Sequence, residues 1–256
     1  MVKHIINQLP FTDDCQHWTR IGQVPWDLQK YWQQRNTIFS YYDEGIYMTQ
    51  DAWYGVTPEP VAIRIAEDLA SIISLGKRTV IDAFAGVGGN AISLALATEA
   101  DGETRRWSKV IAIELDAATL ACAQHNASLY GITDEITWVL GDSFEYLKLL
   151  TESPNKLESN LQVDIATTAV FASPPWGGPG YRTDEVFNLS FMEPYNFEKL
   201  HRAYQSMDHA LFLPRTSDLR QIAKIVPRGS SGKVEAVQYC VEGASKAMVA
   251  YIPAGW

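Results

Sequence analysis

Apolar and polar positions change rhythm along the chain. In residues 26–42, Leu28, Tyr31, Trp32, Arg35, Ile38, Phe39 and Tyr42 fall near one helical face, with Lys30, Gln33 and Asn36 opposite, which predicts one amphipathic helix. Thr57-Pro58-Glu59-Pro60 reads as a helix start. Thr57 can cap it, Pro58 suits the first turn, and Val61, Ile65, Leu69 and Ile72 repeat at helical spacing toward a stop near Gly76. From residue 79, short β-branched runs alternate with helical stretches. Thr79–Asp82, Val110–Glu114, Ile136–Leu140, Ala169–Ala172 and Ala210–Leu213 are the expected strands. The expected helices are Asn90–Thr98, Ala117–Tyr130, Phe144–Leu150, Phe197–Met207 and Leu219–Val226. These strands are continuous apolar runs without alternation, as in a parallel sheet covered on both faces. Val234–Val241 and Lys246–Ile252, joined by Glu242-Gly243-Ala244-Ser245, predict an antiparallel hairpin at one edge. The polar segments Ala100–Arg106 and Thr151–Asn160 are expected to be mobile loops. The reading is an open α/β sheet over residues 57–256 with a helical N-terminal addition, residues 1–56.

A length of 256 residues, 46% hydrophobic and 20% charged, can fill a core and excludes a disordered or fibrous class. The longest apolar runs, Ala91–Ala97 interrupted by Ser93 and Val110–Ile113 ending at Glu114, fall far short of the ~20 residues that span a bilayer. The opening MVKHIINQLPFTDD lacks the apolar stretch of a secretory signal. Cys15, Cys122 and Cys240 lie far apart without a CxxC, so neither a disulfide scaffold nor a cysteine zinc site is expected, and a reducing compartment is. With 30 acidic against 21 basic residues the net charge is -9, which speaks against sequence-independent binding of long nucleic acid. A pocket for one nucleotide remains open to it, and 8 Trp, 12 Tyr and 9 Phe can build one.

Three motifs carry chemistry. In Asp82-Ala83-Phe84-Ala85-Gly86-Val87-Gly88-Gly89-Asn90 a strand ends in a carboxylate, turns through glycines and enters a helix, so backbone can approach a ligand closely at the top of the sheet. It lacks the Gly-Lys-Ser/Thr of a phosphate loop and the spacing of the dinucleotide fingerprint GxGxxG. The next strand ends in Glu114, placed to grip two ribose hydroxyls, with Asp116 better suited to capping the helix that follows. The third strand runs into Gly141-Asp142, a carboxylate placed to meet the amino edge of an adenine. Three successive strand ends with carboxylates and no phosphate cradle outline an adenosine site that favours S-adenosylmethionine over NAD. After the fourth strand comes Ser173-Pro174-Pro175-Trp176. Its prolines stiffen the turn and leave the carbonyls of Ser173 and Pro174 as acceptors for a planar amino group, while Trp176 can stack on the ring that bears it, at ~1–3 kcal/mol per base.

These motifs resemble the class I S-adenosylmethionine-dependent methyltransferases that modify exocyclic amines, with Ser173 where Asn or Asp is usual. DAFAGVGGN and SPPWGGPGY together are similar to the RNA cap guanosine-N2 methyltransferases, and so are KYWQQRNTIFSYYDEGI (30–46), WYGVTPEP (53–60), AQHNASLYGI (123–132) and FLPRTSDL (212–219). The N-terminal part is shorter and less basic than is common there, and Ala100–Trp107 reads as an insertion. The resemblance implies a mostly parallel seven-stranded sheet and methyl transfer to N2 of the 7-methylguanosine cap, giving 2,2,7-trimethylguanosine on small nuclear and nucleolar RNAs. It implies cofactor contacts from Phe39, Thr57, Asp82, Gly86, Gly88, Glu114 and Asp142. It places 7-methylguanine on Trp176 with Asn126 at its other face or edge, and gives the cap phosphates Lys30, Arg215 and Tyr181. Ser173, Pro174 and Trp176 form the catalytic set, acting by positioning and water exclusion in an in-line displacement without a dedicated base. Capped small RNA is the implied partner, with ribonucleoprotein components for recruitment, no membrane, a monomeric state, and a nuclear or nucleolar location extending to the cytoplasm.

The alternatives are an N6-adenine or glutamine-amide methyltransferase, a cap-binding module without activity and, third, an NAD oxidoreductase. Ser173 and the Lys30/Arg215 pair oppose the first, intact Asp82, Gly86, Gly88 and Glu114 the second, and the glycine spacing the third. His4, His17, His125, His201 and His209 have no metal-ligand spacing and are expected to cap, pack or face solvent. Cys122 is expected in packing, Trp18, Trp26 and Trp32 in the core, and Trp53, beside Thr57, as a possible ligand platform.

Overall fold

The computed structural model describes residues 2–72, 76–177, 185–227, 233–241 and 243–256. Its strands are β1 (Lys3–Ile5), β2 (Thr79–Asp82), β3 (Lys109–Glu114), β4 (Ile136–Leu140), β5 (Thr168–Ala172), β6 (Asp208–Leu213), β7 (Glu235–Val241) and β8 (Ala244–Ile252). The helices are α1 (Gln29–Trp32), α2 (Arg35–Ile38), α3 (Ala52–Gly55), α4 (Glu59–Ile72), α5 (Gly89–Leu96), α6 (Ala117–Leu129), α7 (Ser143–Glu152), α8 (Phe197–Tyr204) and α9 (Leu219–Ala223). The described strands form one sheet of eight, in the order β1-β4-β3-β2-β5-β6-β8-β7. β2, β3, β4, β5 and β6 run parallel, whereas β1 on β4, β8 on β6 and β7 on β8 are antiparallel. The chain leaves β2 toward β3 and β4, then returns to its other side with β5 and β6. Such a reversal opens a crevice at the carboxyl ends of the central strands, where α/β sheets bind ligands.

Both faces of the central strands are buried, as their unbroken apolar runs require. One core packs Ile65 and Leu69 of α4, Ala91 and Leu94 of α5 and Leu120 of α6 together with Trp18, Leu28, Trp32, Phe39, Tyr42 and Trp53 of the N-terminal addition. The other packs Tyr146, Leu147 and Leu150 of α7 with Leu200 and Tyr204 of α8 and Ile222 of α9. The addition is thus joined to the sheet by the same apolar core. Among the described residues no helix is long and apolar enough to cross a membrane.

Several features differ from the sequence reading. The single helix expected over residues 26–42 is a 3-10 turn (Trp26–Leu28) followed by α1 and α2. Tertiary contacts override the periodicity here. The Trp32 indole donates to the Trp18 carbonyl at 2.9 Å, and Arg35 lies 4.2 Å from the Trp32 ring centroid while pairing with Asp43 at 3.2 Å. Trp26 is not in the core but 86% exposed. The extra strand β1 makes eight where seven were implied, and it is too short to register as a periodic pattern. Ala100–Arg106 is a tied turn rather than a free loop. Asp101 accepts from the amides of Glu103 and Thr104, and the buried Arg106 donates to the Lys77 carbonyl at 2.6 Å. Thr151–Asn160 likewise breaks into the end of α7 and short 3-10 turns around the buried Leu157. The hairpin turn is also tighter than expected, because β8 already begins at Ala244.

Candidate active site

The carboxyl ends of β2, β3 and β5 bring three predicted elements together. Asp82, the last residue of β2, is 0% exposed. Its Oδ1 accepts from the Phe84 amide at 3.3 Å, while its Oδ2 is buried without a hydrogen-bond partner. Burial pushes its pKa up to about 7; the Phe84 amide opposes the rise and the charge of Glu114 adds to it. A buried acceptor without a donor is costly unless a ligand supplies one. A cationic group above β2 would both pair Oδ2 and favour the ionised carboxylate.

The turn that follows is built around Glu114. Its Oε2 accepts from the Gly86 amide at 2.9 Å, and its Oε1 from the amides of Leu115 at 2.8 Å and Asp116 at 2.9 Å. Burial raises its pKa, and these amide bonds oppose the rise. The carboxylate therefore also positions the glycine turn, and its remaining lone pairs are what a ribose could use. Gly88 has φ +95°, and a Cβ there would lie 3.4 Å from Ala123, so a larger residue would push the turn off α6. The buried Oδ2 and this close-packed cradle fit the donor that the sequence implied, with Asp82, Gly86 and Glu114 as its nearest holders.

The other assigned cofactor residues sit around this turn. Thr57 is buried, and its hydroxyl accepts from Asn90 Nδ2 at 3.0 Å. Phe39 is buried, with its ring edge 3.8 Å from where a Cβ on Gly89 would stand. Asp142 is half-buried and caps α7, its Oδ1 accepting from the Phe144 and Glu145 amides at 2.7 and 3.3 Å. Asp116 caps α6 through the Thr119 amide at 2.7 Å, as expected. Cys122 is buried packing, as expected. Trp53 is no ligand platform: it is 1% exposed and stacks on Trp18 with centroids 5.8 Å apart.

Asn126 must be reassigned from the edge of the guanine. It is 0% exposed; its Oδ1 accepts from the Tyr47 amide, and its Nδ2 donates to the carbonyls of Tyr47 and Val87 at 2.9 and 3.0 Å. Both amide protons are spent on backbone, so the residue clips the N-terminal addition to the glycine turn. Asn126→Ala should then cost about 2–4 kcal/mol of stability in denaturant unfolding, because buried backbone groups lose their partners. Unchanged stability with lost binding of 7-methylguanosine triphosphate would return Asn126 to the guanine edge.

On the far side of β2, the loop after β5 is held against β6. Ser173 donates to the Phe84 carbonyl at 3.4 Å, which links it to the turn after Asp82. Trp176 is half-buried, donates from Nε1 to the Phe212 carbonyl at 3.1 Å, and stacks on Phe212 at 5.5 Å between centroids. Phe212 covers one indole face, so a base stacked on Trp176 would lie on the other. Arg215 is exposed just past the end of β6, three residues beyond Phe212. Tyr181 falls outside the described residues.

A groove near α1 and the hairpin is walled by Gln33, Gln34 and Thr37 on one side and Val241, Ala244 and Lys246 on the other. Gln34 donates to the Lys30 carbonyl at 3.0 Å, and Gln238 donates both to the Arg215 carbonyl at 3.3 Å and to Ser245 at 2.7 Å, next to Lys246. Lys246 was not singled out from the sequence, where it reads as an ordinary strand residue; it is the hairpin that carries it to the groove.

A family model described as RNA cap guanine-N2 methyltransferase matches residues 77–255. Trimethylguanosine synthase of Schizosaccharomyces pombe is 35% identical over 232 residues, covering 89% of this chain and 87% of that protein. The protein of the same name from Saccharomyces cerevisiae is 33% identical over 201 residues, covering 77% of this chain and 58% of its own length. Among solved structures, human methyltransferase 10 domain containing protein superposes with a TM-score of 0.55 at 16% identity, over 90% of this chain and 99% of that one, a likeness of fold.

Proposed function

The chain belongs to the RNA cap guanine-N2 methyltransferase family, and on that premise we propose how its residues methylate the cap. The enzyme has the class I methyltransferase fold, uses S-adenosylmethionine as methyl donor and acts on the guanine N2 of capped RNA. The finer reading is that both N2 hydrogens of a 7-methylguanosine cap are replaced, giving trimethylguanosine on small nuclear and nucleolar RNAs in the nucleus. The name shared by the two yeast relatives supports it. One observation carries the site itself: Ser173 reaches the Phe84 carbonyl while Trp176 is locked to Phe212, so the amine-binding loop and the turn after Asp82 meet at adjacent strand ends.

S-adenosylmethionine supplies, when bound, a methyl group on a cationic sulfur. Asp82 would pair that positive charge through Oδ2, which has no hydrogen-bond partner among the described residues, and Gly86, Gly88 and Glu114 would shape the turn that holds the adenosine. Trp176 stacks the methylated guanine, whose fixed positive charge adds a cation–π gain of up to ~2 kcal/mol. The carbonyls of Ser173 and Pro174 accept the protons of the exocyclic amine and orient its nitrogen, a poor nucleophile because its lone pair is delocalised into the ring. That nitrogen becomes strongly acidic once methylated and releases its extra proton to solvent after transfer, so no dedicated base is needed and the residues act by positioning. Lys30, Arg215 and Lys246 offer the cap phosphates positive charge in a protein of net charge -9.

A labelled-methyl transfer assay tests the arrangement. Lys30→Ala, Arg215→Ala and Lys246→Ala should each raise the KM for 7-methylguanosine triphosphate roughly tenfold or more, as loss of a charge-assisted bond requires. The KM for 7-methylguanosine, which has no phosphates, should hardly change. Equal losses on both substrates would remove the three cations from the phosphate path.

A further inference from the structure

The turn before α1 carries an aromatic surface that the site above does not use. Trp26 is 86% exposed, and no ring contact or hydrogen bond of its side chain is found within the described chain. Leaving an indole in water forgoes the stabilisation that its large apolar area would gain by burial. Trp26 and Lys30 are four residues apart on continuous helical turns whose inward face is Leu28 and Trp32, so both lie on the outer face. The run continues into Gln33, Gln34 and Thr37, which wall the groove that Lys246 lines on its other side. Beside it, Lys30 Nζ sits 4.9 Å from the Tyr31 ring centroid, Tyr31 meets Tyr54 edge-on at 5.6 Å, and the Tyr54 hydroxyl donates to Asp27. That bond occupies the Asp27 carboxylate and ties down the one acidic side chain between Trp26 and Lys30.

A stacking ring one helical turn from a cation is what a single-stranded nucleotide needs: the ring takes the base and the cation takes the phosphate. Lys30, the cation proposed for the cap phosphates, belongs to this same strip, which favours a nucleotide chain over a protein surface. We propose that Trp26 stacks the base of a nucleotide that follows the cap, so that the enzyme holds the beginning of the RNA as well as the cap. The inference rests on Lys30 lying on the phosphate path. It extends the bound substrate from one nucleotide to at least two, with little sequence preference, because every base has a π-face.

The test compares 7-methylguanosine triphosphate with a short capped oligonucleotide as methyl acceptors for wild type, Trp26→Ala and Trp26→Phe. The expected result is a loss on the order of five- to hundredfold in kcat/KM for Trp26→Ala on the capped oligonucleotide, carried by KM, with no change on the triphosphate. Trp26→Phe should recover most of it. Full activity of Trp26→Ala on the oligonucleotide, the result expected if the indole docks a protein, would overturn the inference. An equal loss on both substrates would overturn it too, by making Trp26 a structural residue. Wild type that methylates neither substrate would instead refute the cap reading, and the proposal with it.

Discussion

Asp82→Asn is expected to weaken S-adenosylmethionine binding by about two orders of magnitude, the scale of breaking a buried charge pair, while stabilising the unliganded protein at pH 8. The carboxyl of Asp82 is fully buried, one oxygen has no donor, and its pKa is pushed up to about 7. In the unfolded chain it loses its proton near the usual ~4, so the unfolded state binds fewer protons between that value and about 7. Stability of the unliganded protein therefore falls as pH rises through this window, by at most roughly 4 kcal/mol. A bound cation reverses the demand, because it needs the ionised form, so affinity for the donor should rise with pH up to about 7 and then level. The asparagine variant should show neither dependence. Calorimetric titration and denaturant unfolding at pH 5.5 and 8 measure both; wild-type affinity in the variant, or the same pH slopes, would sink the assignment.

Trp176→Ala should lower kcat/KM for 7-methylguanosine triphosphate on the order of a hundred- to thousandfold, as stacking and the cation–π gain are lost together. Its effect on donor binding should be small, since the indole is anchored to Phe212 rather than to the glycine turn. Trp176→Phe separates the two roles of the side chain. Phenylalanine keeps an aromatic face but cannot donate to the Phe212 carbonyl, so it should retain part of the activity and bind the cap with a less defined orientation. Methyl transfer to GTP, which lacks the charge at N7, should be poor in wild type and fall less in the variant. A Trp176→Ala enzyme that still prefers 7-methylguanosine triphosphate over GTP by the wild-type ratio would show that another group reads the methyl at N7.

The central strands and the placement of carboxylates and turns at their ends were legible in the sequence because each is a local pattern. Val80-Ile81-Asp82 followed by glycines, Ile113-Glu114, and Ser173 to Trp176 each fix strand, turn and functional group within a few residues. Residues whose roles depend on distant partners were not legible. Asn126 sits four residues after Cys122 on a helix, and nothing local shows that its amide closes on Tyr47 and Val87. The run from Trp26 to Tyr42 has helical periodicity, yet the Trp18 carbonyl and Asp43 break it by tying down Trp32 and Arg35. Trp26 was expected in the core and ended in solvent, whereas Trp53 looked like a ligand platform and ended against Trp18. The addition's share in the core of α4, α5 and α6 is of the same kind. Removing residues 1–56 would strip apolar partners from the sheet domain as well as Lys30 and Phe39 from the site, so point variants are the cleaner probes.

The identity of the enzyme rests on which atom receives the methyl group. The direct measurement is product analysis after incubation with labelled S-adenosylmethionine and, separately, 7-methylguanosine triphosphate, GTP and ATP. Mass and fragmentation then locate the label on the base. The expected result is label on the exocyclic N2 of 7-methylguanine, in one or two copies, with little on GTP and none on ATP. Label on adenine N6, or equal labelling of GTP and 7-methylguanosine triphosphate, would contradict it.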